Sequence, residues 1–381
     1  MTPLHRHLTR GGVALAVLVA LFGAWSGLRV WKAWSGVERV EFDAEGARVG
    51  VEAPDNTLRL EPGDVVIDVT PEVDEDPAPA DLPVLTPEDI PTTVTTTPRI
   101  ARDVLETFLI IGSDFRPEWG GTRADVILLV MLLPGGDPPI MVSLPRDLYI
   151  PNPCYGGYSR INANLLGCGS AATGPELLGI AVEDFTGVPV DHFAVLDFEG
   201  FERIVDTVGG VEVCVDEPIR TDWRAGTPVA EFEPGCTTAG GADTLKYIRS
   251  RKTEHLVNGR WVLLPGVNDL TRNQRQQELL LQAIGRLKDY VSITEFATVV
   301  ESVADAFSLD EGLGLRKAIS IAWDLRSFDP DTVIRPTLSV RDYVTESGAF
   351  VLLPTRTFQE VLFEAYDNAA ALYSSAASSE E

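Results

Sequence analysis

Positive charge is scarce in this 381-residue chain: 31 Lys and Arg stand against 57 Asp and Glu, for a formal net charge of −26. A free-standing nucleic-acid binder presents a basic surface to phosphates, so that class is excluded. Histidine is sparse as well. Of the four, His5 and His7 precede a long apolar run. His192 sits in a strand-like stretch where a structural role is expected, and His255 lies in a polar loop where solvent exposure is expected over a phosphate-facing role. A serine–histidine triad therefore has little to draw on. The sequence has no GxxxxGK(S/T) phosphate loop and no GxSxG nucleophile elbow, which removes two large enzyme classes. Cysteine is limited to four residues, none in CxxC spacing, so a zinc site is not expected. Apolar side chains are not lacking: at 45% they are ordinary for a globular protein and exclude wholesale disorder.

The charge is unevenly spread. Residues 1–40 carry five basic residues and one acidic residue, whereas residues 41–100 carry three basic and fifteen acidic. Gly11 to Leu28 contains no charged residue, and at about 1.5 Å per residue it spans roughly 27 Å, close to a bilayer's hydrocarbon thickness. Arg6 and Arg10 precede it, and Trp25, Trp31 and Trp34 lie at or beyond its end, where amphipathic rings suit a membrane interface. With no small-x-small cleavage site in view, residues 1–40 read as a cytoplasmic stub with a single-span signal anchor in preference to a cleaved signal peptide. The bulk of the chain is then extracytoplasmic. Exported chains with an even cysteine count favour disulfides. Sequence proximity favours Cys154 with Cys168 and Cys214 with Cys236, although the sequence alone allows three connectivities. Residues 41–100 read as an acidic, Pro/Thr-rich tether, with strand-like alternation over 47–69 that suggests a small hairpin.

From residue 101 the pattern becomes globular. Val104–Gly112, Ala124–Leu133 and Pro139–Leu144 read as strands buried on both faces. Pro175–Gly187 reads as a helix closed by glycine, His192–Leu196 as a strand, Asp197–Val208 as a helix, and Val211–Val215 as a strand after a Gly-Gly turn. Gly241–Arg249 and Leu270–Tyr290 read as helices, and ITEFATVVESVADAF near the C-terminus as another. The expectation is an α/β fold: a three-layer α/β/α domain over residues 101–375 with a mixed central β-sheet, preceded by one N-terminal transmembrane helix and the acidic linker, and followed by a disordered tail at 376–381.

Charged residues gather at the strand ends. Asp114 and Arg116 follow the first strand, Arg123 and Asp125 open the second, and Arg146 with Asp147 follows the third. Ligands bind outside strand termini in open α/β sheets. Downstream come Arg249 and Arg251, and then Asp269, Arg272, Arg275 and Gln276 at the start of the long helix. Arg forks chelate phosphate oxygens. Carboxylates among them would neutralise them, unless a divalent cation such as Mg²⁺ bridges carboxylate and phosphate. The residues thus point to a Mg²⁺-assisted phosphate-ester or pyrophosphate site.

These stretches match a family. GSDFR (112–116), TRAD (122–125), VSLPRDLYI (142–150), SRINAN (159–164), VDHFAVLDFEGFERIVDTVGGVEV (190–213), GADTLKYIRSR (241–251) and NDLTRNQRQQ (268–277) resemble the LytR-CpsA-Psr (LCP) family of cell-wall glycopolymer transferases. The resemblance implies transfer of a phosphorylated glycopolymer from a polyprenyl-pyrophosphate carrier to a peptidoglycan-type acceptor. It implies Mg²⁺ at Asp114 and Asp125, and pyrophosphate at Arg146, Arg249 and Arg251, with Arg116 and Arg123 in matching loops. Asp269, Arg272, Arg275 and Gln276 correspond to the family's helix motif. A departure is Ala124–Val126, where family members often carry a hydroxyl residue on each side of the aspartate. Phe198, Phe201, Ile204, Leu177 and Leu178 are candidates to line a lipid tunnel, although ordinary core positions explain each one singly. A phosphatase or pyrophosphatase, or a non-catalytic envelope protein, is the alternative reading.

Overall fold

A computed structural model describes residues 25–52, 98–112, 124–133, 137–221, 229–250, 252–266, 269–289, 301, 304, 306–324, 329–345 and 348–377. Asp114, Arg116, Arg123, Arg251 and most of the uncharged Gly11–Leu28 run lie outside these residues, and the side chain of Asp269 is not described. Among the described residues no helix is long and apolar enough to cross a membrane.

The central sheet has six strands: β1 (Glu38–Val40), β2 (Glu106–Gly112), β3 (Val126–Leu132), β4 (Ile140–Ser143), β5 (His192–Leu196) and β6 (Phe307–Asp310), in the order β1-β6-β5-β2-β3-β4. Pairing is mixed. β1 is parallel to β6 and β5 to β2, while the β6–β5, β2–β3 and β3–β4 pairs are antiparallel. The apolar runs of β2 and β3 are explained by cover on both faces. Leu109, Ile111, Ile127 and Leu129 pack with Leu178, Val182, Phe358 and Leu362 of the Gly174–Thr186 and Phe358–Ala365 helices. On the other face Phe108 and Ala194 meet Trp34, Leu309 and Ile321, and Met141 meets Leu281 of the Asp269–Asp289 helix. This is the expected mixed-sheet α/β architecture.

Local signals set the element ends. Thr173 and Glu176 form a reciprocal capping box at the start of Gly174–Thr186, and Gly187 at φ 71° closes that helix in the left-handed conformation. Asp197 caps Phe198–Thr207. The disulfides are Cys154–Cys168 and Cys214–Cys236. The second joins facing residues of the antiparallel strands Val211–Val215 and Gly235–Ala239.

Four expectations need correction. The helix Ala369–Ala377 runs into the tail expected to be disordered from residue 376. Residues 38–40, read with the anchor segment, form β1 of the central sheet, and residues 41–52, read as the start of the tether, belong to the folded unit: Ala44–Glu52 is a helix, where a hairpin arm was expected from residue 47. Ala44, Ala47 and Val51 share one helical face and are buried against Cys168, Ala172, Leu177 and Ile180, so packing overrides the alternating V-G-V pattern. The remainder of the expected hairpin lies outside the described residues. Phe307, read as the end of a helix, instead opens β6 between β1 and β5.

Candidate active site

Strand pairing brings one set of loops together. Gly112 pairs with Leu196 and with Val126, Leu128 with Ser143, Leu196 with Phe307, and Ser308 with Glu38. The C-terminal ends of β2, β4 and β5 therefore lie at the same end of the sheet as the starts of β1, β3 and β6. Asp125 is fixed immediately before β3, where its N–H donates to Gly112 O at 3.0 Å. Arg146 follows β4 in a turn closed by Leu148 N–H to Pro145 O, 2.9 Å, and its carbonyl accepts from Asn162 N–H at 3.3 Å.

At this end Asp125 bridges two arginines. Arg146 Nη1 donates to Asp125 Oδ1 at 2.8 Å, and Arg249 Nη2 stands 3.9 Å from Oδ2. Arg249 comes from the last turn of the Gly241–Arg249 helix, so residues 124 positions apart in sequence converge on one carboxylate. The network continues outward: Arg146 Nε lies 3.4 Å from Asp147 Oδ2, and Arg160 Nε lies 3.2 Å from Asp147 Oδ1. Arg160 also donates to Phe350 O, which ties this edge to the C-terminal hairpin.

Two arginines rest on aromatic rings. The Arg249 guanidinium carbon lies 4.0 Å from the Phe198 centroid, and that of Arg275 lies 5.0 Å from the Tyr247 centroid. An aromatic ring beneath the guanidinium attracts its charge without taking up its N–H donors, which stay free to bind an anion. Arg275 Nη1 additionally donates to Thr253 Oγ1 at 3.4 Å, which hydrogen-bonds Ser250 Oγ at 3.0 Å.

Gln276 was expected to contact substrate. It is buried, and its Nε2 donates to Ile248 O at 3.2 Å, so it joins the long helix to the helix that carries Arg249. Arg272, one turn earlier, is also buried. The suggested lipid-tunnel residues pack in separate clusters: Leu177 with Ala44 and Val51, Leu178 in the main core, Phe198 and Phe201 against the core beneath Val211–Val215, and Ile204 with Leu196 and Ala306. The sequence had not assigned site roles to Phe198 and Tyr247 as arginine platforms, or to Arg160 as partner of Asp147. SRINAN pointed to the last by its position.

The two described histidines pair with carboxylates and not with the site's arginines. His192 lies between Asp310 and Glu106, each 3.3 Å away, at the opposite end of the sheet. His255 is not solvent-exposed as expected: its Nδ1 lies 2.8 Å from Glu217 Oε1 and its side chain is largely covered. Among the described residues, the grouping of metal-type ligands is Glu212 with Cys214 and Cys236, which is a disulfide and holds no ligand set for a cation.

The chain matches the LytR_cpsA_psr family over residues 89–363. It belongs to that family. Similar curated proteins include the probable cell wall biosynthesis protein LcpB of Corynebacterium glutamicum, 32% identical over 47% of this chain and 41% of that one. Another is the polyisoprenyl-teichoic acid–peptidoglycan teichoic acid transferase TagT of Bacillus subtilis, 29% identical over 56% of this chain and 62% of that one. The chain spans about half the length of the curated relatives it matches. Among solved structures, a LytR-Csp2A-Psr enzyme from Actinomyces oris aligns with a TM-score of 0.55 at 23% identity, covering 71% of this chain and 94% of that one, which establishes the shared LCP fold.

Proposed function

We propose that this LCP-family chain is a membrane-anchored, extracytoplasmic phosphotransferase. It moves a phosphorylated glycopolymer from a polyprenyl-pyrophosphate carrier to a hydroxyl of a peptidoglycan-type wall acceptor. The observation that carries this reading is the Asp125 carboxylate set between Arg146 and Arg249 at the strand ends, with Arg249 presented on the Phe198 ring. The named activity of TagT, a teichoic acid transferase, supports it.

In the proposed step an acceptor hydroxyl oxygen attacks the glycopolymer-side phosphorus. The bond from that phosphorus to the bridging oxygen breaks, and polyprenyl phosphate leaves. Arg146 and Arg249 hold phosphate oxygens and stabilise charge that builds on the bridging oxygen, ordinarily the main contribution in phosphoryl transfer. Arg275 extends the cationic set, and the RxR motif assigns Arg251 to the phosphates as well. Asp125 Oδ1 is engaged by Arg146, so whichever of Asp114 and Asp269 the cation leaves free is the candidate to receive the hydroxyl proton.

Mg²⁺ fits the donor set. Asp125 is one-third exposed and its Oδ2 has only the long approach of Arg249, which suits a cation that takes one or two carboxylates together with substrate phosphates. Asp114 would be the second ligand. The cation, when bound, would supply charge neutralisation at the phosphates.

The test is incubation of the full chain with a polyprenyl-pyrophosphate glycan, Mg²⁺ and wall fragments, with mass spectrometry of the products. Ligation to the wall is expected. Free glycan phosphate without ligation would identify a hydrolase, and no turnover would point to a binding role. Arg146→Ala is expected to slow release of polyprenyl phosphate by about 10²-fold or more. Unchanged release in that variant removes the proposed site.

A further inference from the structure

We infer that the hairpin formed by Glu254–Val257 and Arg260–Leu263 dips into the lipid surface from which the substrate is taken. The inference rests on the polyprenyl-linked substrate proposed above and adds a docking element to it. The hairpin opens five residues after Arg249, so it springs from the site end of the molecule. Its strands are joined by Asn258-Gly259, both at positive φ, a tight two-residue turn.

Its exposed side chains are the wrong kind for water. Leu256, Val257, Val262 and Leu263 are 38%, 38%, 42% and 62% exposed. The register places them on both faces. Leu256 faces Trp261 and Leu263 faces Glu254 on one side, while His255 faces Val262 and Val257 faces Arg260 on the other. A protein docked on one face of a hairpin covers one set and leaves the other wet. A lipid interface surrounds the hairpin and covers both.

Charge and topology favour the same occupant. In a chain of net charge −26, this segment carries Lys252 and Arg260, and its Glu254 is paired with Arg220, which also lies 4.7 Å from the Trp261 ring centroid. An aromatic ring flanked by cations suits an anionic headgroup layer. The helix over residues 25–36, which continues the uncharged Gly11–Leu28 run, leads into β1 at Glu38, and Glu38 lies at the site end of the sheet. A span in that run and the hairpin would therefore meet the membrane from the same end, the end that carries the arginines.

The chain suits a direct test, because all four cysteines are in disulfides and a fifth is uniquely reactive. Leu263→Cys in the full chain is labelled with an environment-sensitive fluorophore and reconstituted into phosphatidylglycerol-containing vesicles. Glu311→Cys, at the opposite end of the sheet, serves as the reference. A blue shift at position 263 and its quenching by nitroxide-bearing lipid, with neither at 311, is expected. A water-like spectrum at 263, or a shift that grows with protein density and ignores the nitroxide, overturns the proposal, the latter in favour of a second copy of the chain. Leu256→Asp/Leu263→Asp is expected to raise KM for a vesicle-embedded lipid-linked glycan and to spare turnover of a short-chain, water-soluble analogue; equal KM on vesicles also overturns it. If the label is quenched by lipid but the unmodified chain turns over neither substrate, the transferase reading fails and the docking element stands.

Discussion

Arg249 rests its guanidinium over the Phe198 ring, 4.0 Å from the centroid, with its carboxylate neighbour Asp125 only at 3.9 Å. Removing the ring leaves the charge but frees its orientation. Phe198→Leu should therefore raise KM for the pyrophosphate substrate several-fold, with a smaller effect on kcat, in steady-state assays; Arg249→Lys should lose more, because an ammonium cannot fork. At the far end of the sheet, burial of His192 opposes its charged form. The hydrogen bond that His192 donates to Asp310 and the charges of Asp310, Glu106 and Asp191 outweigh that burial, and the imidazole titrates above its ordinary value. The sign follows from linkage. A raised folded pKa means that protonation stabilises the fold fully below about pH 6.5, and this contribution is lost as pH rises through the folded value. Chemical denaturation from pH 5.5 to 8.5 should show that loss, and His192→Gln should flatten it.

Helix crossings and short strands decide what happens between residues. A Cβ on Gly241 would meet Glu202 O at 2.3 Å, so the helix that delivers Arg249 can approach Phe198–Thr207 only with glycine there. Gly241→Ala should lower the melting temperature and displace Arg249, with a loss of activity larger than the loss of folded protein. The 14-residue separation of Cys154 and Cys168 makes their disulfide worth about 3 kcal/mol in the chain-entropy view. The Cys154→Ser/Cys168→Ser variant should lose stability of that order in urea titrations. The same contrast explains what the sequence disclosed. β2, β3, β4 and β5 were legible because their apolar runs are long enough to show burial, and the helices were legible from caps and periodicity. β1 and β6 were not: ERV and FSLD hold too few apolar residues to signal a strand, and each takes its identity from the neighbour it pairs with. The arginines of the site were legible as residue types, since phosphate chemistry asks for them. Their aromatic platforms were not, because Phe198 and Tyr247 also read as ordinary core.

For the whole molecule, the folded unit begins well before residue 101. A chain cut to start there lacks β1, the Ala44–Glu52 helix and the Arg48 ion pairs with Glu183 and Asp184, and it leaves Leu309 and Leu177 partly uncovered. It should melt at lower temperature than one starting before Glu38, as differential scanning calorimetry would show. The return of the chain at residue 98 has a further consequence. The Ala44–Glu52 helix packs on Gly174–Thr186, and Ile100 N–H donates to the carbonyl of Gly187, at the end of that same helix, at 2.8 Å. Both ends of the intervening acidic segment are thus moored within about one helix length, and 13 residues of helix measure roughly 20 Å. About six extended residues cross such a gap, yet residues 53–97 number 45. The stretch holds far more residues than its two moorings require. Changing its length should therefore leave the packing at both moorings as it is, because the nine residues between Leu28 and β1, and not the acidic stretch, join the apolar run to the sheet.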